Sequence, residues 1–486
     1  MDVALLSRIQ FAVTIGFHYI YPPLSIGLGL ILVLMEGMFL KTRNPVYRQM
    51  TRFWVRIFGL IFALGVGSGI VMEFEFGTNW SEYSRFVGDI FGSPLAAEGI
   101  FAFFLESGFL AILLFGWDRV GPRMHFLSTV FVALGAHFSA IWIIVANSWM
   151  QTPAGYHIVE TAHGVRAEIT SFWEAVLNPS TLDRLSHTIM GTWQAGAFFV
   201  VSVSAYYLLK RRHEQFARRS IRIALLVAML GSILQLVTGH SSGVTVAQHQ
   251  PAKLAAFEGV FETGPEADLS IIGWVDEKNE EVIGIGLPGM LSLLVGGTSD
   301  TEVVGLRDIP RDEWPPVQLS FQVYHLMVAI GMALILLAWG GGVLAWRGAL
   351  FRHRWMLWIL VFSVLLPMAA NQLGWAAAEV GRQPWIVYGL MRTADGVSDT
   401  IEAGDVLISL ILFTLIYIAL LVVFLFLLDQ KIKAGPLEAD LKPARTRRRE
   451  LDAGEPEGSD RKRGRDRPPG GKRPPETDRP DREGKP

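Results

Sequence analysis

The sequence predicts an all-α fold: a polytopic membrane bundle of nine transmembrane helices. Three observations predict it. Hydrophobic residues make up 51% of the 486 positions and fall into blocks that reach the roughly 20 residues needed to cross a bilayer. Mean hydropathy is positive, at +0.35. The connections between blocks alternate between basic and nearly base-free, as the two sides of a membrane do.

The blocks lie near 9–39, 53–73, 94–116, 126–149, 184–209, 220–239, 318–346, 355–379 and 405–428. Ser7-Arg8-Ile9-Gln10 leads straight into the first block with no small-residue cleavage site, so that block is read as the membrane signal itself. Pro22 and Pro23 are expected to kink it. Lys41, Arg43, Arg48, Arg52 and Arg56 fill the first connection without an acid; Arg119 and Arg123 mark the third, Lys210 to Arg222 the fifth, and Arg347, Arg352 and Arg354 the seventh. By the positive-inside rule the N-terminus faces outward, the odd-numbered connections face the cytoplasm, and nine crossings leave the C-terminus inside.

Residues 240–317 form the one large loop before the tail, on the outer face, with thirteen Asp or Glu against four Lys or Arg. Its Pro251 to Glu258 run has helical character, and the apolar stretch from Ile283 to Val295 is expected to fold back on the protein or lie at the interface. From 431 onward Arg, Lys, Pro, Gly, Asp and Glu dominate. The chain therefore divides into a transmembrane domain, 1–430, and a disordered charged cytoplasmic tail, 431–486, whose arginines suit anionic headgroups. No phosphate-binding glycine loop occurs, and no nucleic-acid partner is expected.

With no cysteine in the chain, thiolate metal sites, iron–sulfur clusters, disulfides and covalent CxxCH haem attachment are excluded, leaving His, Met and carboxylates as ligands. His18, His187, Met327 and Glu379 lie on four different blocks, all in the outer half of the membrane by this topology. Each has an ordinary alternative: a packed His, a core Met, an interfacial Glu379 paired with Arg382 between Trp375 and Trp385. A His and a Met together can hold a low-spin haem, and a His or carboxylate can leave a haem iron with an open position. The third block adds Glu98 and Glu106, with Asp118 at its inner end. Glu98 and Asp118 are about 30 Å apart along a helix, the hydrocarbon thickness, which suits a proton path. Glu98 and Glu106 diverge by about 80° on a regular helix, so water or other helices are expected to bridge them. Two structural acids are the alternative.

Ser7-Arg8-Ile9-Gln10-Phe11-Ala12 leading to His18, Met72-Glu73-Phe74-Glu75-Phe76-Gly77-Thr78-Asn79-Trp80, the span from Ala97-Glu98-Gly99 to Phe104-Leu105-Glu106-Ser107, Val145-Ala146-Asn147-Ser148-Trp149-Met150-Gln151, and Gly381-Arg382-Gln383-Pro384-Trp385 together closely resemble subunit I of the cytochrome bd-type quinol oxidases, over about 1–430. The resemblance implies that His187 and Met327 are the axial ligands of a low-spin haem b. It implies that His18 and Glu379 serve two high-spin haems, a haem b and a haem d or third haem b, one of which binds oxygen. Glu98 would lie beside that pair, and Glu106 would belong to proton delivery with Asp118 and Ser139. Lys253 and Glu258 match the quinol-binding positions, and Arg382 would help hold a haem propionate. The short external loop resembles the cyanide-insensitive branch. His325 stands where some relatives carry an arginine, and His137 is read as structural.

The resemblance further implies a bacterial cytoplasmic (inner) membrane enzyme that oxidises ubiquinol or menaquinol outside and reduces O2 to water with protons from inside, building a potential without pumping. Its expected partners are a second membrane subunit and a small single-span one. Other classes fit less well. A haem–copper oxidase needs an adjacent His pair, which does not occur, and a bis-histidine cytochrome b needs two His pairs, whereas only His125 and His137 share a block. A proton-coupled transporter without haem is the remaining alternative.

Overall fold

The computed structural model describes residues 2–162 and 164–441. Among these, nine helical segments are long and apolar enough to cross a membrane: Val3–Thr42, Pro45–Thr78, Ser81–Phe115, Pro122–Gln151, Thr181–Leu209, Glu214–His249, Val317–Trp346, Arg354–Val380 and Ala403–Ala434. Each expected block falls within one of them to within a residue. Several helices run further, as their polar end turns stay helical without being apolar.

In chain order the helices are α1 (Val3–His18), α2 (Tyr21–Thr42), α3 (Pro45–Thr78), α4 (Ser81–Ala97), α5 (Phe104–Phe115), α6 (Pro122–Gln151), α7 (Phe172–Val176) and α8 (Thr181–Leu209). They continue with α9 (Glu214–His249), α10 (Pro251–Glu258), α11 (Met290–Gly296), α12 (Val317–Trp346), α13 (Arg354–Phe362), α14 (Leu365–Val380) and α15 (Ala403–Ala434). Proline accounts for the interruptions within crossings. Pro22 and Pro23 open α2; without N–H groups they cannot bond back to the turn before, so the first crossing breaks at Tyr19–Ile20 rather than bending smoothly. Pro367 does the same in the first turn of α14. Pro94 sits inside α4, and the helix beyond it opens into a π-helical segment, Glu98–Phe103.

The core lies between α2, α3, α8 and α9, where Tyr21, Leu28, Ile31, Trp54, Phe58, Phe198 and Ala224 are almost wholly buried. Glycine allows the closest approach: a Cβ on Gly27 of α2 would lie 2.1 Å from the Thr192 carbonyl of α8, and one on Gly196 would lie 2.3 Å from the Gly27 carbonyl carbon.

No strand is expected from the sequence, yet three antiparallel hairpins decorate the helix ends: β1 (Tyr156–Thr161) with β2 (Gly164–Ile169), β3 (Leu269–Asp276) with β4 (Glu281–Leu287), and β5 (Trp385–Val387) with β6 (Met391–Arg392). The large loop begins at 250, not 240, because α9 continues to His249. Its expected helical run is α10, and the apolar stretch from Ile283 to Val295 is most of β4 plus α11. At the other end, α15 continues past 430 to Ala434, and a single turn, Glu438–Leu441, returns to α3. There the buried Asp440 carboxylate takes Arg52 at 2.9 Å and Arg56 at 3.2 Å. The rest of the charged tail, from 442, lies outside the described residues.

Candidate active site

Helix α14 connects most of the candidate residues. Asn371 donates to the Gly191 carbonyl of α8 (3.3 Å), and Gln372 donates to the Gly16 carbonyl of α1 (2.8 Å). Gly374 faces Met327 of α12, whose Sδ would lie 2.9 Å from an added Cβ. One turn further, Glu379 accepts from Asn147 Nδ2 of α6 (2.9 Å) and Gln151 Nε2 (3.3 Å), and its second oxygen pairs with Arg382. The spacing 371, 374 and 378–379 keeps these contacts in register along one short helix.

His187 and Met327 belong to one ring of four helices, α8, α9, α12 and α14, each packed on the next. His187 faces Gly239 of α9, where a Cβ would lie 3.2 Å from its ring, as Met327 faces Gly374. His18 repeats the pattern against Gly69 of α3, also at 3.2 Å. The missing side chains let His18, His187 and Met327 pack directly against the neighbouring helix backbone.

Hydrogen bonding fixes the tautomer of His18. Ser68 spends its hydroxyl proton on the Leu64 carbonyl (2.7 Å), so at 3.0 Å it accepts from His18 Nδ1–H. The His18 Nε2 lone pair is thereby presented outward, the arrangement a metal-bound imidazole needs. At His187, Thr238 Oγ1 lies 3.2 Å from Nδ1, and the Gln235 amide nitrogen lies 3.1 Å from Nδ1 and 2.8 Å from Nε2.

Around Glu379 the cations outnumber the acids. Arg184, three residues before His187 and so on its face of α8, pairs with Asn147. Arg184 Nε and Arg382 Nη1 are buried without a partner. Two orphaned guanidinium nitrogens beside a single carboxylate suit an anionic group such as a haem propionate.

The large loop between α9 and α12 closes over this region. A Cβ on Gly381 would meet Phe257 at 2.8 Å and Lys253 at 3.0 Å, which is why α10 can lie against the end of α14. Lys253 and Glu258, each only 2% exposed, are five residues apart and point about 140° away from each other on α10. Lys253 Nζ donates to Gln250 Oε1 (2.6 Å) and to Gln151. Burial pushes its ammonium well below the ordinary range; Arg184 and Arg382 push the same way, and Glu379 opposes them. Glu258 faces the other side, accepting from Ser270 N–H (3.2 Å) and the Tyr324 hydroxyl, with His325 Nε2 at 3.9 Å. Burial raises its carboxyl to about 7 against those two donors. Phe257 stacks on Tyr324 at 4.6 Å, and Phe321 on His325 at 4.0 Å. The two loop residues are therefore not brought together around one point.

The acids of the third crossing are aligned more closely than a regular helix allows. Ser139 donates to Glu98 at 2.5 Å, and the Glu106 side chain packs where a Cβ on Gly135 would be. Ser139 and Gly135 are one turn apart on α6, so both acids face that helix. The wider π turns starting at Glu98 offset the expected divergence. Asp118, half-exposed beyond α5, lies 3.8 Å from Arg52. His137 donates to the Ala133 carbonyl (2.7 Å) and accepts from Trp193 (3.0 Å), a packing arrangement. Among the intramembrane charges that escaped the sequence reading are Arg184, and Glu36 on α2. The rule that singled out Glu98, an acid in an apolar run, would have found Glu36 in Leu34-Met35-Glu36-Gly37.

Fold and site together define a polytopic helical membrane protein with partly buried His, Met and carboxylate groups fitted to haem. Comparison with known proteins gives the family. Residues 6–436 match the family described as cytochrome bd terminal oxidase subunit I. The chain is 39% identical to cytochrome bd ubiquinol oxidase subunit 1 of Bacillus subtilis (strain 168), covering 90% of this chain and 94% of that one. It is 35% identical to cytochrome bd-II ubiquinol oxidase subunit 1 of Escherichia coli (strain K12), covering 90% and 97%. The structure of bd oxidase from Geobacillus thermodenitrificans is similar at a TM-score of 0.82 and 32% identity, covering 90% and 99%. The chain belongs to the cytochrome bd terminal oxidase subunit I family. It is a haem-binding, multi-pass membrane subunit of a terminal quinol oxidase, with quinol and O2 as substrates and a second subunit as partner.

Proposed function

We propose that this subunit carries three haems in a bacterial cytoplasmic membrane, with its N-terminus and quinol loop outside and its C-terminus inside. His187 and Met327 hold a low-spin haem b; His18 and Glu379 serve two high-spin haems, a haem b and a haem d or third haem b. When bound, the haems supply the electron transfer and the four-electron reduction of O2 to water. Arg382 and Arg184 offer their unpaired nitrogens to a propionate. The pairing of His187 and Met327 within one four-helix ring, each opposite a glycine, is the observation that carries this reading.

The protein's own part is to handle protons and charge. At the outer face the Glu258 carboxylate accepts a hydroxyl proton from ubiquinol or menaquinol, with Tyr324, His325 and Ser270 fixing its position. Lys253, on the opposite side of α10, hydrogen-bonds Gln151 and Gln250 between the quinol loop and the Glu379–Arg382 cluster. Protons consumed at oxygen enter from the cytoplasm past Asp118 and reach Glu106 and then Glu98, which Ser139 holds against α6. Protons thus leave on one side and are consumed from the other, which makes a potential without pumping. A small single-span subunit completes the assembly beside the second large one.

A dithionite-reduced minus air-oxidised spectrum of membranes containing this chain and its partner tests the reading. Bands of low-spin b haem are expected, with the red-shifted band of haem d present if d occupies the oxygen site. A featureless spectrum from membranes that contain the protein and have haem available would overturn it and favour a haem-free proton-coupled transporter.

A further inference from the structure

Between the large loop and Glu379 stands one neutral side chain, Gln151, the last residue of α6 and 1% exposed. It lies one turn after Asn147, so both amides face Glu379. Gln151 Nε2 donates to Glu379 Oε1 and to the Ala378 carbonyl, each at 3.3 Å, and Gln151 Oε1 accepts from Lys253 Nζ. Lys253 Nζ also donates to Gln250 Oε1 at 2.6 Å, and Gln250 Nε2 donates to the Gln151 carbonyl at 3.1 Å. That carbonyl is one of the four that a helix end leaves without an internal partner. Side chain and main chain of Gln151 therefore both hold the start of α10.

The polarity of this amide admits one arrangement. Its two N–H bonds meet two acceptors, the Glu379 carboxylate and the Ala378 carbonyl, and its oxygen meets a donor whether the Lys253 nitrogen is charged or neutral. Turned over, the amide would set its oxygen against both acceptors and its hydrogens against Lys253, and every one of these buried contacts would be lost. Gln250 is oriented by the same reasoning, with its oxygen on Lys253 and its nitrogen on the Gln151 carbonyl. Donation thus runs one way, from Lys253 through Gln151 to Glu379, and hydrogen bonds in such a buried chain polarise one another. Asn147 and Arg382 complete the hold on the Glu379 carboxylate. Of these three partners, Gln151 alone is hydrogen-bonded to α10 among the described residues.

We infer that Gln151 is a positioning residue that couples Lys253 of the quinol loop to Glu379, and so to the high-spin haem that Glu379 serves. This rests on the proposed haem assignment. A carboxylate that accepts fewer hydrogen bonds is a more basic iron ligand and favours ferric iron. Gln151 therefore raises the reduction potential of that haem, and a change at Lys253 reaches the haem through the amide.

The test uses the haem-loaded two-subunit oxidase and an optical redox titration of its high-spin bands. Gln151→Met keeps the length of the side chain without its N–H groups. The expected result is a full complement of haem with the reduction equilibrium moved about tenfold toward ferric iron, about 59 mV for one electron. A role in assembly alone would not move the potential of haem that is retained. Lys253→Met is expected to lower the potential when Gln151 is present and to lose more than half of that shift when combined with Gln151→Met. Where Gln151→Met does not assemble, Lys253→Gln decides: neutral yet still an N–H donor, it is expected to keep most of the potential that Lys253→Met loses. An unmoved potential in Gln151→Met, survival of half or more of the Lys253→Met shift in the double variant, or equal shifts from Lys253→Gln and Lys253→Met would overturn the coupling and leave the oxidase reading intact. Wild-type high-spin bands in Glu379→Ala would overturn the haem assignment, and the coupling with it.

Discussion

At the scale of single residues, the decisive quantity is how each buried group is compensated. Glu258 has its carboxyl raised to about 7 by burial, so it is mostly protonated below that pH and ionised above it. Only the ionised form can accept a proton from quinol. Quinol oxidation by steady-state kinetics should therefore rise with pH through about 7, and Glu258→Gln should lower kcat by about 100-fold or more and remove that limb. A variant that retains the limb would place the base elsewhere. Met327 is compensated differently: it faces Gly374, with no polar partner to satisfy. Met327→Leu should pack almost as well and yet remove the low-spin signature from the reduced spectrum while leaving the high-spin bands. An unchanged spectrum would refute the ligand assignment.

Helices, rather than residues, determine where these groups meet. Helix α14 reaches α1, α6, α8 and α12 through Gln372, Glu379, Asn371 and Gly374, so a shift of this one element would disturb the surroundings of Glu379 and Met327 and the helices that carry His18 and His187. The α2–α8 contact is the tightest constraint on the bundle. Gly196→Ala would put a methyl group into the Gly27 backbone and should destabilise the oxidase by about 1–3 kcal/mol or more, read as loss of the haem spectrum at lower temperature in detergent. Gly331→Ala on α12, which meets nothing within 4 Å, should leave that temperature unchanged or raise it slightly, since alanine favours helix. Equal effects of the two substitutions would mean that the close approach does not limit stability.

For the whole molecule, the proposed function has the separation of the quinol loop from the Asp118 side convert redox chemistry into charge separation. In vesicles of known orientation, quinol oxidation should acidify the loop side, with protons released there equal to the electrons delivered to oxygen. Release in excess of that equality would show pumping, and release on the Asp118 side would invert the proposed topology. The turn at Glu438–Leu441 ties the Asp118 side together, because Asp440 meets Arg52 and Arg56 of α3 while Arg52 also lies near Asp118 and Trp117.

Nine crossings and the candidate ligands were legible in the sequence, since bilayer thickness sets helix length and a polar group in hydrocarbon stands out against its neighbours. The family was legible too, through long motifs in a fixed order. What the sequence did not contain was the pairing between crossings. Nothing local tells that Gln151 meets both Lys253 and Glu379, that Lys253 and Glu258 turn to opposite sides of α10, or that a π segment brings Glu98 and Glu106 to one face of α6. Those facts depend on helix phase and on which backbones approach at Gly27, Gly196 and Gly381. The apolar pattern is nearly featureless around a helix surrounded by lipid and other helices, so the choice of neighbour is made only by packing in three dimensions.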